Sequence, residues 1–154
     1  MTATTRSAPA GTKLDEGFPA KIAFAADSDV SFWEKSVKPP GVDGGDAVET
    51  TTMFNTTYRT RGPRVLKTLT DAQLTVAYDP QVLDQIIALI NVNGWISVHF
   101  SDGSCWNFVG YLKSFEPNEM QEGNQPEAAI TIVATNQLAG VETLAEYSAT
   151  GSGT

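Results

Sequence analysis

With one cysteine and one histidine, this chain has little from which to build a disulfide, a zinc site or a histidine-based catalytic centre. Cys105 has no intrachain partner, so nothing points to an oxidising compartment. Cations are also scarce. Ten Lys and Arg against eighteen Asp and Glu give a formal net charge of −8 and a pI near 4.5. A sequence-independent DNA clamp needs a positive surface, so tight DNA binding is not expected. No apolar run approaches the ~18 residues of a membrane span, so no membrane anchor is expected. The opening "MTATTRSAPAGTKLDEG" lacks the apolar centre of a signal peptide, which predicts a soluble protein made in a cytoplasm. Charged residues make up 18% and apolar residues 41%, which argues against disorder and for a single domain with a real core.

Residues 1–16 are small, polar and without period, and are read as a flexible arm. The body of the domain is expected over 17–136 and a small, polar C-terminal tail over 137–154. Ile22 and Phe24 alternate on a first strand, and "DVSFWEKSV" (29–37) is read as a second. Pro39, Pro40, Gly41, Gly44 and Gly45 open a long loop, 38–63. Within it, Ala47–Thr60 is threonine-rich and is read as one half-exposed strand, with Thr50, Thr52, Phe54, Thr56 and Tyr58 on one face. Leu74, Val76 and Tyr78 mark a better-defined strand.

Asp79-Pro80 predicts a helix start, with Asp79 as cap and Pro80 at the first helical position. The helix is expected over about 80–91, with Leu83, Ile86, Ile87 and Ile90 as its apolar stripe and Asn93-Gly94 as its stop. "GWISVHFSDGSCWNFVGYLKSFEP" reads as a hairpin. A three-residue loop, Asp102–Ser104, would place Phe100 opposite Trp106, Val98 opposite Phe108 and His99 opposite Asn107. "EAAITIVAT" (127–135) is a last core strand. The expected core is Ile22, Phe24, Leu74, Val76, Leu83, Ile86, Ile90, Val98, Phe100, Trp106, Phe108, Ile130 and Ile132. The fold class is mainly β: an antiparallel sandwich or barrel with one flanking helix and a long projecting loop.

Chemistry is hard to find. His99 faces away from Val98 and Phe100, and reads as a surface or interface residue. "DGGD" (43–46) lacks the spaced oxygens and closing Glu of a calcium loop, and "GVDGG" lacks the Lys-Ser/Thr of a phosphate loop. Trp33, Trp95 and Trp106 could form a sugar platform, but such residues more often pack cores or interfaces. No catalytic residue, metal or cofactor is expected. Charge is uneven, however. Arg59, Arg61, Arg64 and Lys67 follow one another without an acid between, and after Lys113 only acids remain: Glu116, Glu119, Glu122, Glu127, Glu142 and Glu146. Such a chain could meet its own copies head to tail.

"WEKSVKPPGVDGGDAVETTTMFNTTYRTRGPRVLKTL" (33–69) resembles the signature region of the tail tube (major tail) proteins of long-tailed bacteriophages. The resemblance rests on Trp33-Glu34, Lys38 to Gly41, Gly44 to Asp46, Thr51 to Met53, Asn55, Tyr58 to Thr60 and Pro63-Arg64, and extends more loosely over 17–135. It implies a β-sandwich with a flanking helix, assembled as hexameric rings that stack into a hollow tube passing DNA without specific binding. It also implies a long loop that contacts the adjacent ring. The residues it marks for self-assembly are Pro39, Pro40, Gly41, Gly44, Asp46, Thr51, Thr52, Met53, Phe54, Asn55, Tyr58, Arg59, Arg61 and Arg64. The partners implied are the chain itself and other tail proteins such as the tape measure, tail tip and terminator. The implied location is the virion tail, with assembly in the host cytoplasm. An acidic wall would suit passing DNA, since carboxylates repel phosphates. The inner tube of a contractile injection or secretion machine is a close alternative. A β-sandwich binding module, adhesin or carbohydrate-binding, is a more distant one.

Overall fold

Ala72, Leu74 and Val76 alternate with exposed or half-buried neighbours, and so do Ala128, Ile130 and Ile132. Period-two burial of this kind defines strands with one face on a core. The two strands meet antiparallel with Leu74 opposite Ile130 and Val76 opposite Ala128, so their apolar faces coincide. In a computed structural model of the chain, residues 20–25, 32–78, 80–101 and 103–148 are described, Val82 by its backbone only. The expected arm (1–16), Phe18, the first residues of "DVSFWEKSV", the Asp79 cap, Asp102 and residues 149–154 lie outside them.

The strands in chain order are β1 (Lys21–Phe24), β2 (Trp33–Lys38), β3 (Val42–Asp43), β4 (Val48–Glu49), β5 (Arg61–Gly62), β6 (Thr68–Leu69) and β7 (Ala72–Ala77). A 3-10 turn (Pro80–Val82) leads into helix α1 (Leu83–Leu89). Then come β8 (Gly94–His99), β9 (Cys105–Pro117), β10 (Glu127–Ala134), β11 (Gln137–Leu138), β12 (Val141–Glu142) and β13 (Glu146–Ser148). The main sheet runs β1-β8-β9-β10-β7-β2, all antiparallel, with β13 on β9 as its seventh strand. It is curled into a half-barrel. Two bulges add to the curl, leaving Lys35 unpaired in β2 and Lys113 unpaired in β9.

The hollow of the curl is the core. Ile22 and Phe24 from β1, Ile96 and Val98 from β8, and Phe108 and Leu112 from β9 join the β7 and β10 residues there. Each such side chain contributes about 1.5–3 kcal/mol by leaving water. Helix α1 closes the hollow with Ile86 and Leu89. At the crossing of β9 and β10, Gly110 has no room for a side chain, because a Cβ there would lie 2.3 Å from the Val133 carbonyl oxygen.

Three local expectations are corrected. Ile87 is exposed and Leu89 is buried in its place, because the buried face holds Ile86 and Leu89, three residues apart, and the helix ends at Leu89, short of Asn93-Gly94. Its stop is Asn91, which takes the left-handed conformation at φ 65°. In the β8–β9 hairpin, Val98 faces Trp106, Ile96 faces Phe108 and His99 faces Cys105. The loop is three residues long but sits one position earlier, over 101–103, closed by Phe100 N–H on the Ser104 carbonyl at 2.9 Å. Gly103 there adopts φ +89°. The partners shift by two positions, so the same faces stay apolar. The third correction concerns the expected tail. Its residues 146–148 pair with Cys105–Asn107 and belong to the main sheet. Of the expected core, Leu83, Ile90, Phe100 and Trp106 are half-buried and the rest buried.

Candidate assembly surface: the ribbon between β2 and β7

The segment between β2 and β7 continues their pairing outward as a two-stranded ribbon. Lys38 faces Gln73, Val42 faces Leu69, and Val48 faces Gly62. Beyond that, Thr50 N–H donates to the Thr60 carbonyl at 2.9 Å, and the two threonine hydroxyls also meet at 2.9 Å. The ribbon's root is held by Gly41 N–H on Thr70 Oγ1 at 2.8 Å.

The threonine-rich run is therefore not one strand. It folds back on itself at residues 53–58. The cause is Asn55. Its Oδ1 accepts from Thr52 N–H at 2.9 Å, and its Nδ2 donates to the Tyr58 carbonyl at 2.8 Å. One side chain thus fastens both sides of the reversal, as turn-forming asparagines do. Thr51 links the two strands as well: its hydroxyl donates to Glu49 and accepts from Thr60 N–H.

Of the residues singled out in the sequence, Pro40 is buried at the root and Pro39, Gly41, Gly44 and Asp46 are exposed around it. Asp46 uses its carbonyl to accept from Arg64 Nε at 2.9 Å. Asp43 of "DGGD" accepts from Gly45 N–H at 2.8 Å, closing a local turn. Met53 and Phe54 at the tip are 101% and 95% exposed, and Tyr58, Arg59, Arg61 and Arg64 are exposed as well. Thr52 is exposed, while Thr51 and Asn55 are half-buried within the ribbon itself.

Four further residues belong with these and were not singled out: Val42, Val48, Val65 and Leu66. All are exposed, Val65 at 91% and Leu66 at 82%. The adjacent apolar pair between Arg64 and Lys67 is a signal that could have found two of them. Val48, Val65 and Leu66, with Pro63 and Arg64, line a depression of about 490 Å³ on the ribbon. These side chains make the ribbon the candidate interaction surface of the described residues.

The other candidates do not assemble into a site. Trp95 and Trp106 stand on opposite faces of the β8–β9 pair, and Trp33 lies on edge strand β2, so the three tryptophans form no common platform. His99 faces Cys105 on one side and Lys21 on the other. Burial, and then the nearby Lys21 charge, lowers its pKa. Cys105 is fully buried. Ser97 Oγ donates to Asn107 Oδ1, opposite it in the sheet, at 2.6 Å.

The described residues thus form a mainly β fold: a curled antiparallel sheet, one helix and a projecting ribbon. No protein-family model and no curated protein matches the chain. Among solved structures, the fold is similar to that of a chain in the sheath-tube complex of PVC, an extracellular contractile injection system, in its extended state. That likeness has a TM-score of 0.60 and 14% identity, and covers 94% of this chain and 99% of the other. It is also similar to a chain in the six-fold symmetrised baseplate of the anti-feeding prophage (AFP), with a TM-score of 0.52, 5% identity, and 84% and 90% covered.

Proposed function

We propose that this protein is a structural subunit of a phage-type tail or injection machine, which self-assembles as stacked rings into a hollow tube. The observation that carries this is the ribbon: a hydrogen-bonded arm whose large apolar side chains, Met53, Phe54, Tyr58, Val65 and Leu66, lie in solvent. Such a surface is costly on a monomer and is stabilised when a second copy covers it. The shared fold with a contractile sheath-tube chain and a baseplate chain supports a tail component. The six-fold symmetrisation of the baseplate supports hexameric rings. The role is structural, without a catalytic step.

DNA would pass through such a tube without specific binding, as the net charge of −8 favours. Partners beyond the chain itself would be the tape measure, tip and terminator of the same tail. The finished protein would reside in the particle, after assembly in the host cytoplasm. Negative-stain microscopy across a concentration series tests the proposal. Rings or tubes that grow with concentration, melting at higher temperature than the dilute protein, are expected. Dispersed monomers up to millimolar concentration would overturn it.

A further inference from the structure

Strand register fixes which loops lie at which end of the sheet. The β2–β7 pair runs from Trp33 opposite Ala77 to Lys38 opposite Gln73, and the ribbon leaves from the Lys38–Gln73 end. Ala77 lies opposite Glu127, and Ala128 lies opposite Pro117. The β9–β10 turn, residues 118–126, therefore sits at the opposite end of the sheet from the ribbon's root.

The ribbon's returning strand and the β9–β10 turn are opposite in charge. Residues 59–67 hold Arg59, Arg61, Arg64 and Lys67 and no acid, while the outgoing strand carries Asp43, Asp46 and Glu49, with Glu49 opposite Arg61. Residues 114–127 hold Glu116, Glu119, Glu122 and Glu127 and no cation. Among the described residues the one ion pair is Lys35–Glu127, and none of them pairs with the four ribbon cations or the other three glutamates within 4.0 Å. Each end also offers apolar surface: Met53 and Phe54 at the ribbon tip, and Met120, 55% exposed, in the acidic turn.

We infer that the acidic β9–β10 turn of one copy receives the basic, apolar-tipped ribbon of the next. This rests on the self-assembly reading above and names its receiving surface. Because the donor and acceptor are different surfaces at opposite ends of one sheet, the contact is heterologous and runs head to tail, as an open stack requires. Charge fixes its register and polarity. Two other exposed apolar residues, Leu144 just before β13 and Tyr147 within it, belong to the strand that pairs with the Cys105–Asn107 end of β9. That is the ribbon's own end of the sheet. A ribbon seated there would join like ends and close a dimer.

Paired charge reversal tests the joint. Arg59→Glu with Arg61→Glu, and separately Glu119→Lys with Glu122→Lys, should each lower the assembled fraction roughly tenfold or more at low salt. Monomer melting should stay unchanged. All four substitutions together should restore assembly. The single-ended defects should shrink at high salt, where the screening length is about 3 Å at 1 M. In a second variant, Arg61→Cys with Glu119→Cys, oxidation should give a ladder of covalent oligomers, since buried Cys105 does not compete. A product that stops at dimers would overturn the inference. So would normal assembly of Glu119→Lys/Glu122→Lys alongside failure of Met53→Ser/Phe54→Ser, which would leave the ribbon's own role standing. If Met53→Ser/Phe54→Ser also assembles normally, the self-assembly role of the ribbon falls too.

Discussion

Ile22 and Glu34 meet across the seam of the sheet. The backbone N–H of Ile22 on edge strand β1 donates to Glu34 Oε1 on the other edge, β2, at 3.0 Å. Beside this contact, the rings of Phe24 and Phe32 meet edge to face with centroids 5.8 Å apart. The two edges of an antiparallel sheet are its exposed pairing surfaces. Here a side chain from one edge takes a backbone donor of the other, so the half-barrel is latched without closing into a full ladder. Glu34→Ala leaves that donor without its acceptor, and should cost about 1–3 kcal/mol, the range for a polar group that loses its partner. Glu34→Gln keeps an acceptor and should cost less. Urea unfolding measures both. Faster amide exchange at Ile22 in Glu34→Ala, with β7 and β10 amides unaffected, is the local signature. Unchanged exchange there would show that the latch holds nothing.

Gly110 is the position where β9 passes closest to the β10 backbone. A methyl group at 2.3 Å from the Val133 carbonyl oxygen can be relieved only by parting the two strands. Gly110→Ala should destabilise by about 1–3 kcal/mol, as overpacking does. For a chain of this length that lowers Tm by roughly 2–4 °C per kcal/mol. A calorimetric scan showing an unchanged Tm would mean that the crossing is looser than the backbone distance implies.

Much of the fold is legible in the sequence, for reasons that also mark the limits. Leu74, Val76, Ile130 and Ile132 alternate cleanly, because their strands have one face on the core. The β8–β9 faces are legible for the same reason, but not the partners. Two registers differing by an even step leave Ile96, Val98, Trp106 and Phe108 on one side, and only the loop over 101–103 decides between them. The threonine run has the composition of a strand throughout, so nothing in its period reveals the reversal that Asn55 imposes. Val65 and Leu66 carry no period that would assign them to a core or a surface, and they are exposed because the ribbon carries them away from the sheet. The charge asymmetry is plain in the sequence. That its two poles lie at opposite ends of one sheet depends on register, which the chain does not display.

His99 gives the pH dependence. Burial, then Lys21, holds its folded pKa below the ordinary value of 6.5. The unfolded chain then binds the proton more readily than the folded one, so protonation destabilises the fold. Stability is full above about 6.5 and declines as pH falls from there through the folded value. His99→Gln should flatten this decline between pH 7.5 and 5.5, as followed by urea midpoints. A variant with the same slope as the unaltered protein would assign the pH dependence to other groups.

The ribbon itself supplies the last prediction. The buried core, including Leu74, Val76, Phe108 and Ile130, lies outside residues 43–68. Leu69 packs partly against that core, and Val42 stands opposite it. Cutting between these two and joining Val42 to Leu69 through Asn-Gly keeps the last pair in register, with a dipeptide suited to a tight hairpin turn. Shortening an antiparallel connection costs little, because closure entropy varies slowly with length. The shortened chain should therefore fold, with Tm within a few degrees of the dilute monomer, since the surface removed is the exposed one. It should sediment as a monomer at concentrations where the full chain forms rings or tubes, and, since it keeps the β9–β10 turn but has no ribbon to offer, it should cap tubes of the full chain at one end without extending them. Tubes of normal length from the shortened chain would remove the ribbon from the assembly. A shortened chain that cannot fold would show that the ribbon is part of the core after all.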